Sequence, residues 1–482
     1  MGSMLPRPLS WDRAEARAGR FDGKFIVGVL TTGIYCLPSC GARQPNPANV
    51  RMFKTEAEAQ AAGLRPCKRC RPDLFYRGED IDIALFEALA TRVRSEPEAF
   101  ADAAALARTC GVSQTKLGDL LRVHAHITPA AWLKREHVRA ACRLLLETER
   151  RVVDVGHAAG FESESAFHRQ FLALTRMTPG AYRALNGASV FMLQLPAGYR
   201  AQEILSYHAR DPASPCERVE GSKIYKALAT ADGAAILEIE LEPQVAWCRI
   251  HSDANKLEQR SIEAVHAAAL RMLGLNADVA AFEARAARDP RMTVLLARRR
   301  GLRLPLTPTA FDGLCWAIIG QQINIAFASA LRREILELAG EEVHGMRAHP
   351  TAARVAEIPV GELTKRRFSR SKAEYLIGAA QAVAAGELAV ESLGEASAVA
   401  AERSLTRLRG IGPWTARYTL MRGAGFADCA PVGDVALAAA LQRFTAAEQR
   451  PGPKEVEALM LPFAPYRSIA TIHLWASLKD AA

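Results

Sequence analysis

Four of the ten cysteines form two close pairs, and this arrangement constrains the fold of the chain more than any other sequence feature. The first pair is Cys36-x3-Cys40, and the second pair, Cys67-x2-Cys70, follows after 26 intervening residues. Two short loops spaced in this way present four thiolates to one tetrahedral zinc ion. On spacing alone, a purely structural zinc knob is the favoured interpretation. The other six cysteines are predicted to be core residues, namely Cys110, Cys142, Cys216, Cys248, Cys315 and Cys429.

The length and charge of the chain indicate a multidomain protein that binds a polyanion. Its 482 residues are expected to form about three or four domains, because a domain usually holds roughly 100–200 residues. A composition of 49% hydrophobic and 24% charged residues is typical of a soluble globular chain. Residues 1–190 carry 27 basic and 20 acidic side chains, so a polyanion is expected to bind there first.

Neither a membrane-spanning segment nor a secretory leader is predicted. No run of 18 uncharged apolar residues occurs, and residues 1–20 contain Asp12, Glu15 and four arginines. We therefore expect a cytoplasmic protein with reduced cysteines and no membrane partner.

The residues around the four cysteines point beyond a structural knob. They read FDGKFIVGVLTTGIYCLPSC from Phe21 to Cys40 and RPCKRCRPD from Arg65 to Asp73. Over residues 11–77 the chain closely resembles the amino-terminal domain of the Ada family of alkylation-response proteins. The resemblance implies a small α+β zinc domain over residues 11–78. It also implies that Cys36 takes a methyl group from a DNA methylphosphotriester in a single turnover, as a zinc-bound thiolate.

The charge of the zinc site suggests how methylation would act on DNA binding. Four thiolates around zinc carry a net charge of about −2, and methylating one sulfur leaves about −1, so affinity for DNA is expected to rise. The family has basic residues where this chain has Leu30 and Leu37. The phosphate contacts are therefore assigned to four other basic side chains, namely Arg43, Lys68, Arg69 and Arg71.

Residues 82–186 contain an internal repeat with an offset of 50 residues. It pairs Ser113 with Ser163, Leu117 with Phe167, Leu121 with Phe171, Thr128 with Thr178, Pro129 with Pro179 and Trp132 with Tyr182. Each copy has an apolar helix (103–110 and 152–159), a glycine turn and a second helix opening at Ser113 or Ser163. This pattern predicts a helix-turn-helix, although a generic helical bundle also shows apolar spacing.

The repeat resembles the tandem helix-turn-helix domain of the AraC/XylS family, including the ending MTPGAY at 177–182. The resemblance implies an all-α domain that binds promoter DNA, with RNA polymerase as a further partner. The candidates for base contacts lie on the second helices and are Gln114, Lys116, Glu164, His168 and Arg169. For each of them, a solvated helix face is an equally good interpretation.

The pattern changes after residue 187. Short β-like runs at 190–195, 235–241 and 246–251, with one helical stretch near 257–273, predict a small α+β domain over residues 190–282. From residue 280 onward nearly every segment has helical periodicity, so an all-α domain is predicted over 283–482. The overall prediction is a mostly α multidomain protein.

Two features of the helical region carry chemistry. Gly410-Ile-Gly412 is typical of a tight turn between two helices, which exposes backbone N–H groups to a phosphate, although the motif alone more often marks a simple hairpin. Asp434 stands alone in an apolar stretch, where a carboxylate either caps the following helix or acts on a substrate. The two roles are compatible.

Together these features resemble the helix-hairpin-helix base-excision glycosylases, and residues 190–482 look like the AlkA 3-methyladenine branch. The motifs are WAIIGQQI at 316–323, the hairpin, and HLW at 473–475. By motif position Asp434 is catalytic, Gln322 enters the duplex, and Gly410 and Gly412 contact DNA. The implied base pocket consists of Trp414, Tyr418 and Trp475. By spacing alone, aromatic pairs such as Trp414 and Tyr418 usually lie in a core.

The resemblance implies a monofunctional glycosylase, because Trp414 stands where lyases of the superfamily have a nucleophilic lysine. It implies one zinc ion as cofactor, allows a monovalent cation at the hairpin and requires no organic cofactor. The expected activities are excision of alkylated purines from double-stranded DNA, methyl acceptance and transcriptional regulation. The alternative is a DNA-binding activator whose glycosylase domain is a non-catalytic clamp.

Overall fold

The computed structural model describes residues 21–43, 45–254 and 257–481. Asp12, Glu15 and the first ten residues of the predicted 11–78 domain therefore lie outside the described part. The chain divides into two compact units, residues 1–89 and 90–482.

The first unit contains a four-stranded sheet in the order β3-β1-β2-β4. Its strands are β1 (Ile26–Val29), β2 (Ile34–Cys36), β3 (Val50–Phe53) and β4 (Arg65–Pro66). β1 pairs antiparallel with β2 and β3, whereas β2 and β4 are parallel. The helices are α1 (Glu56–Ala61), α2 (Pro72–Tyr76) and α3 (Ile81–Ser95), the last of which contains the boundary between the units. Ile26, Tyr35 and Phe53 form the centre of a small core.

The second unit begins with two helix-turn-helix pairs. Their helices are α4 (Ala103–Cys110), α5 (Gln114–His124), α6 (Pro129–Glu147), α7 (Val152–Ala158), α8 (Glu164–Thr175) and α9 (Pro179–Arg183). The glycine turns contain Gly111 and Gly160, whose φ angles of 65° and 90° favour glycine. The Ser113 and Ser163 hydroxyls cap α5 and α8 by accepting backbone N–H groups at 3.1 and 3.2 Å. The predicted helix-turn-helix repeat is confirmed.

An antiparallel five-stranded sheet follows in the order β5-β9-β8-β7-β6. Its strands are β5 (Val190–Gln194), β6 (Glu217–Glu220), β7 (Lys223–Thr230), β8 (Gly233–Leu241) and β9 (Val245–Ser252), with helices α10 (Ala201–His208) and α11 (Gln259–Met272). The α+β character, β5, β8, β9 and α11 are as predicted. The strands β6 and β7 and the helix α10 were not predicted from the sequence. Consecutive buried residues interrupt the apolar–polar alternation of β7, so its period-two signal is weak.

The remaining chain is almost entirely helical, as predicted. Its helices are α12 (Val279–Ala286), α13 (Pro290–Leu296), α14 (Ala310–Ile319), α15 (Ile325–Ala339), α16 (Ala352–Ala356), α17 (Val360–Lys365), α18 (Arg370–Ala384), α19 (Ala398–Thr406), α20 (Pro413–Thr419), α21 (Val435–Thr445), α22 (Pro453–Met460) and α23 (Arg467–Ser477). A π-helical turn, Leu420–Ala424, continues α20. The exception is a hairpin of β10 (Glu342–Val343) and β11 (Met346–Arg347), whose two turn residues both have positive φ.

Packing joins the helix-turn-helix region to the five-stranded sheet. Tyr182 of α9 and Phe191 of β5 both contact the ring of His266 in α11, with centroid distances of 5.1 and 5.9 Å. These residues belong to one hydrophobic core or line it. Two further cores lie among the helices after α11, and Trp475 packs against both. Trp475 therefore lies where two helical cores meet.

The predicted core cysteines differ in burial. Cys216, Cys248, Cys315 and Cys429 are buried, whereas Cys110 and Cys142 are half-buried. Of the helices in the described part of the chain, none has the length and apolar character that a bilayer crossing requires.

Candidate functional site

The four paired cysteines converge at one end of the first sheet. Cys36 ends β2, and Cys67 directly follows β4. Because these parallel strands pair Tyr35 with Pro66, the two cysteines leave the sheet side by side. The sulfur atoms of all four cysteines lie within 4.8 Å of one another. Tetrahedral zinc with Zn–S bonds of about 2.3 Å places its sulfur ligands about 3.8 Å apart, so the residues fit a four-cysteine site for one zinc ion.

The sulfur atoms differ in their hydrogen bonds. Two of them accept backbone N–H groups at 3.4 Å, from Leu37 to Cys70 and from Arg69 to Cys67. Among the described residues, no such donor reaches Cys36. A hydrogen bond stabilises a thiolate and lowers its basicity, and nucleophilicity falls with basicity. The Cys36 sulfur is therefore not stabilised in this way.

The basic side chains near the zinc site are not equivalent. Arg43, Lys68 and Arg69 are exposed. Arg71 forms a bidentate pair with Asp73 at 2.8 and 3.0 Å, so part of its donor capacity is already used. Of the two positions at which the resembling family has basic residues, Leu30 is 52% exposed and Leu37 only 5%. A charged side chain at position 37 would need to leave the core of this fold.

The predicted base-contacting residues lie at the start of the second helix of each pair. Gln114 and Lys116 are exposed on α5, and Glu164 and Arg169 on α8. His168 is partly exposed, and its Nε2 lies 3.7 Å from a carboxylate oxygen of Glu164. The structure brings these residues to two equivalent helix faces.

The hairpin between α19 and α20 depends on a close approach at Gly410. This residue has a φ of 82°, and a Cβ there would lie 2.2 Å from the ring of Tyr375. Gly412 begins α20 with nothing within 4 Å of its Cβ position. Gly410 therefore has to be glycine for steric reasons, whereas Gly412 leaves open space above the backbone.

The loop carrying Gln322 is fixed to this hairpin. The Gln321 amide donates to Gly410 O and to Thr415 Oγ1, both at 2.9 Å. The buried Lys372 ammonium donates to the carbonyl oxygens of Ile319 and Gln321 at 2.6 and 3.0 Å. Gln322 itself is exposed and has a left-handed φ of 57°. The side chain at this position thus protrudes from a rigid turn.

The three predicted pocket aromatics form a continuous row. The ring centroids of Trp414 and Tyr418 lie 5.4 Å apart, and those of Tyr418 and Trp475 lie 6.4 Å apart. All three side chains are partly exposed. Burial raises the pKa of Tyr418. Its hydroxyl accepts a hydrogen bond of 3.1 Å from Nε1 of Trp316, which fixes the edge of the row.

Asp434 stands at the end of this row and is the N-cap of α21. Its Oδ1 accepts the Leu437 N–H at 2.7 Å and the indole N–H of Trp475 at 3.0 Å. Within the described residues, Oδ2 has no hydrogen-bond donor. One carboxylate oxygen is therefore fixed, while the other is available to a bound molecule.

Three residues near the pocket were not predicted as site residues: Trp316, Tyr207 and Arg210. The guanidinium carbon of Arg210 lies 4.1 Å from the ring centroid of Tyr207 and 5.3 Å from that of Trp316. The guanidinium carbon of Arg422, a buried residue, lies 4.7 Å from the ring centroid of Tyr207. Burial lowers the pKa of Arg422 to about 9. Trp316 is the first residue of the WAIIGQQI motif, but no sequence signal marks Tyr207 or Arg210.

Comparison with known families agrees with this architecture. Residues 10–73 match "Metal binding domain of Ada", residues 106–185 match "Helix-turn-helix domain", residues 190–309 match "AlkA N-terminal domain", and residues 315–465 match "HhH-GPD superfamily base excision DNA repair protein". These matches follow one another along the chain in the predicted order of the domain types.

Individual relatives match nearly the whole chain or its second part. A Mycobacterium tuberculosis protein named "Probable bifunctional transcriptional activator/DNA repair enzyme AlkA" is 29% identical, over 96% of this chain and 95% of its own length. The "DNA-3-methyladenine glycosylase" of Bacillus subtilis is 29% identical, over 60% of this chain and 97% of its own length.

A solved structure shares the fold of the second part. The 3-methyladenine DNA glycosylase of Archaeoglobus fulgidus superposes with a TM-score of 0.54 and 22% identity, over 60% of this chain and 98% of its own length. The chain is therefore a fusion of an Ada-type metal-binding domain, a helix-turn-helix domain and an AlkA-type base excision DNA repair domain of the HhH-GPD superfamily.

Proposed function

We propose that residues 190–482 excise alkylated purines of the 3-methyladenine type from double-stranded DNA, with Asp434 as the catalytic carboxylate. The observation that carries this proposal is the Asp434 carboxylate, held on one oxygen by Trp475 beside a row of partly exposed aromatic rings. A base must leave the duplex stack to reach such a row, and Gln322 and the hairpin glycines are the proposed DNA contacts.

The chemistry follows from the substrate. A purine methylated at N3 or N7 carries a positive charge, so the bond from sugar C1′ to the base breaks with its electron pair moving to the base. The Asp434 carboxylate stabilises the resulting sugar cation. Water then adds to C1′ and loses its proton to the carboxylate or solvent. The aromatic faces favour the cationic base by cation–π attraction of roughly 0.5–2 kcal/mol.

A base-release assay tests this proposal. The full chain is incubated with DNA containing 3-methyladenine, and the free base is measured by chromatography. We expect release of the base and an intact abasic strand, since Trp414 stands where a lyase has lysine. If no base is released, the enzyme proposal fails, and the chain is a DNA-binding activator whose glycosylase domain is a non-catalytic clamp.

We propose Cys36 as the acceptor of a methyl group from DNA methylphosphotriesters. Zinc, when bound, keeps the four cysteines deprotonated at neutral pH. The Cys36 sulfur forms a bond to the methyl carbon, while the bond from that carbon to the phosphate oxygen breaks and leaves its electron pair on oxygen. No proton moves. The support is that, among the described residues, no backbone N–H donates to the Cys36 sulfur, whereas Cys67 and Cys70 each accept one.

Peptide mass spectrometry tests the acceptor. After incubation with methylphosphotriester DNA, we expect a mass increase of about 14 Da on the peptide containing Cys36, as one hydrogen is replaced by a methyl group. A methyl group on Cys40, Cys67 or Cys70 would contradict the assignment. The lower negative charge of the methylated site should also tighten promoter binding, which gel shifts measure.

We propose that the helix-turn-helix pairs bind promoter DNA through the exposed starts of α5 and α8, and that RNA polymerase in the cytoplasm is the further partner. Arg43, Lys68 and Arg69 are the proposed phosphate contacts of the sensor, with a smaller contribution from Arg71 because of its pair with Asp73. The proposed domains are 11–78, 82–186, 190–282 and 283–482.

A further inference from the structure

A residue of the first helix-turn-helix pair contacts the loop that leads to Asp434. His126 lies between α5 and α6, and its Nδ1 is 3.2 Å from the backbone nitrogen of Asp428. The backbone N–H can only donate, so the imidazole accepts through Nδ1 and carries its proton on Nε2. Its ring also packs edge-on against Phe426, with centroids 5.1 Å apart.

Asp428 is in turn fixed to the start of α23. Its carboxylate, in a residue 8% exposed, accepts the Arg467 guanidinium at 2.7 and 2.9 Å and the Arg467 backbone N–H at 3.3 Å. The next residue of α23, Ser468, accepts the Cys429 N–H at 3.0 Å and donates to Phe426 O at 2.6 Å. These hydrogen bonds therefore hold the loop around Asp428 to the start of α23.

The same loop and helix meet a second time at the site. The loop ends at Asp434, and α23 carries Trp475, which donates to Asp434 Oδ1 at 3.0 Å. A displacement of Asp428 would therefore shift the Asp434 carboxylate through the loop. It would also shift the indole of Trp475, which donates to that carboxylate, through α23. The loop and α23 are thus in contact at two places, near Asp428 and at Asp434, and His126 contacts the loop at the first of them.

Other contacts hold the first helix-turn-helix pair in place. His124 Nδ1 lies 2.7 Å from the Oγ of Ser397, the N-cap of α19, which is the first helix of the hairpin. Arg94 donates to the backbone oxygen of Glu395 at 2.9 Å and pairs with Glu136 at 2.9 Å. The position of His126 is therefore determined by several contacts to the repair domain.

We propose that the first helix-turn-helix pair is a structural part of the repair site, with His126 as a positioning residue for the loop that carries Asp434. This inference rests on the proposed glycosylase activity and goes beyond it. A domain assigned to DNA recognition completes the catalytic arrangement of its neighbour in the chain.

Two substitutions of His126 distinguish the effect of its hydrogen bond with Asp428 from the effect of its backbone conformation. His126 has a φ of 59°, which Asn and Gly both tolerate. In His126→Asn the side-chain oxygen can accept the Asp428 N–H, whereas His126→Gly has no acceptor. We expect a roughly tenfold lower kcat for base release in the Gly variant with KM within about twofold, because small displacements of catalytic groups are costly. The Asn variant should retain most of kcat.

The repeat supplies a matched control. Arg176 is the residue at an offset of 50, with a φ of 60° in the same turn of the second pair. Arg176→Gly should leave kcat unchanged. Equal kcat values for the wild type and both His126 variants, or equal losses in His126→Gly and Arg176→Gly, would overturn the proposal.

Hydrogen exchange gives a readout that does not need activity. The peptide covering residues 426–437 should exchange faster in His126→Gly than in the wild type and His126→Asn. If the wild type releases no base but this pattern is present, the glycosylase proposal fails and the positioning role of His126 stands. If exchange is unchanged in His126→Gly, the positioning role fails whatever the activity.

Discussion

The indole Nε1 of Trp475 and the backbone N–H of Leu437 donate to the same oxygen of Asp434, at 3.0 and 2.7 Å. The carboxylate is thereby both a helix cap and the acceptor for a pocket aromatic. Because two donors fix Oδ1, the carboxylate is already ordered. Little further conformational entropy is lost when Oδ2 faces a bound sugar. Capping and the proposed catalysis use different oxygens of one side chain.

Replacement of Asp434 by Asn should abolish most activity without unfolding the chain. The amide oxygen can still accept from Leu437 and Trp475, but the negative charge that stabilises the sugar cation is lost. We expect a rate loss on the order of 10²–10³, about 3–4 kcal/mol, in single-turnover release of 3-methyladenine. DNA binding and the melting temperature should change little. A near-wild-type rate would leave Asp434 as an N-cap alone.

Replacement of Arg210 by Gln should shift the base preference toward cationic purines. The guanidinium lies 5.3 Å from Trp316, which is hydrogen-bonded to Tyr418 of the proposed pocket. At roughly 10 Å from a cationic base and an effective dielectric of about 20–40, its repulsion corresponds to about a four- to twentyfold effect. The measurement is kcat/KM for 7-methylguanine relative to neutral hypoxanthine.

Trp414→Ala is the opposite control for this preference. It removes a cation–π face and should lower the ratio for the cationic base. A ratio that is unchanged in Arg210→Gln would show that the arginine does not act on the bound base.

The two hairpin glycines should respond differently to alanine. In Gly410→Ala the new Cβ collides with Tyr375 and the φ of 82° becomes unfavourable, so we expect a loss of about 2 kcal/mol or more in stability. Gly412→Ala has free space and a φ of −87°, and its stability should change by less than about 0.5 kcal/mol. Thermal unfolding measures both. Equal melting temperatures would contradict the close approach at Gly410.

Loss of one cysteine should release the metal. Because Cys67 is the buried member of the four-sulfur cluster, Cys67→Ser is expected to purify with little zinc, whereas the wild type should contain about one zinc per chain. Elemental analysis of protein prepared without chelator measures this content. Cys248→Ser, a change at a buried cysteine outside the cluster, is the control and should retain zinc.

Buried histidines should make the second unit acid-sensitive. Burial lowers the pKa of His266 and of His473 to about 4, from an ordinary value of 6.5. Between pH 4 and pH 6.5 the unfolded chain binds protons that the folded chain does not. The contribution of these histidines to the free energy of unfolding is therefore fully present above about pH 6.5 and decreases as the pH falls toward 4. At pH 5 each histidine lowers the free energy of unfolding by on the order of 2 kcal/mol relative to neutral pH.

Urea unfolding at pH 7.5 and pH 5, followed by tryptophan fluorescence, tests this prediction. The His266→Gln variant keeps a donor for Thr175 O, which the histidine contacts at 2.9 Å, but does not titrate. Its unfolding midpoint should therefore depend less on pH than that of the wild type. A wild-type midpoint that is the same at both pH values would refute the assignment.

Local signals in the sequence determined much of the architecture. The cysteine spacing, the repeat with its serine caps at Ser113 and Ser163, and the capping position of Asp434 were all predicted. The caps and the glycine turns depend on residues within a few positions of one another, because a cap bonds an N–H two or three residues on and a glycine permits a local φ. The structure has each of these features as expected.

Tertiary structure alone decided which distant residues meet. His126 contacts Asp428 across 302 positions and Trp316 contacts Tyr418 across 102, while Arg210 contacts Trp316 from the turn after α10, a helix that was not predicted. Whether a partner lies across a given interface depends on how whole helices and sheets pack, and the local pattern around a residue contains no information on that packing. The sequence therefore determined the type of each domain, and packing determined where the helix-turn-helix and repair domains contact each other, as at His126 and Asp428.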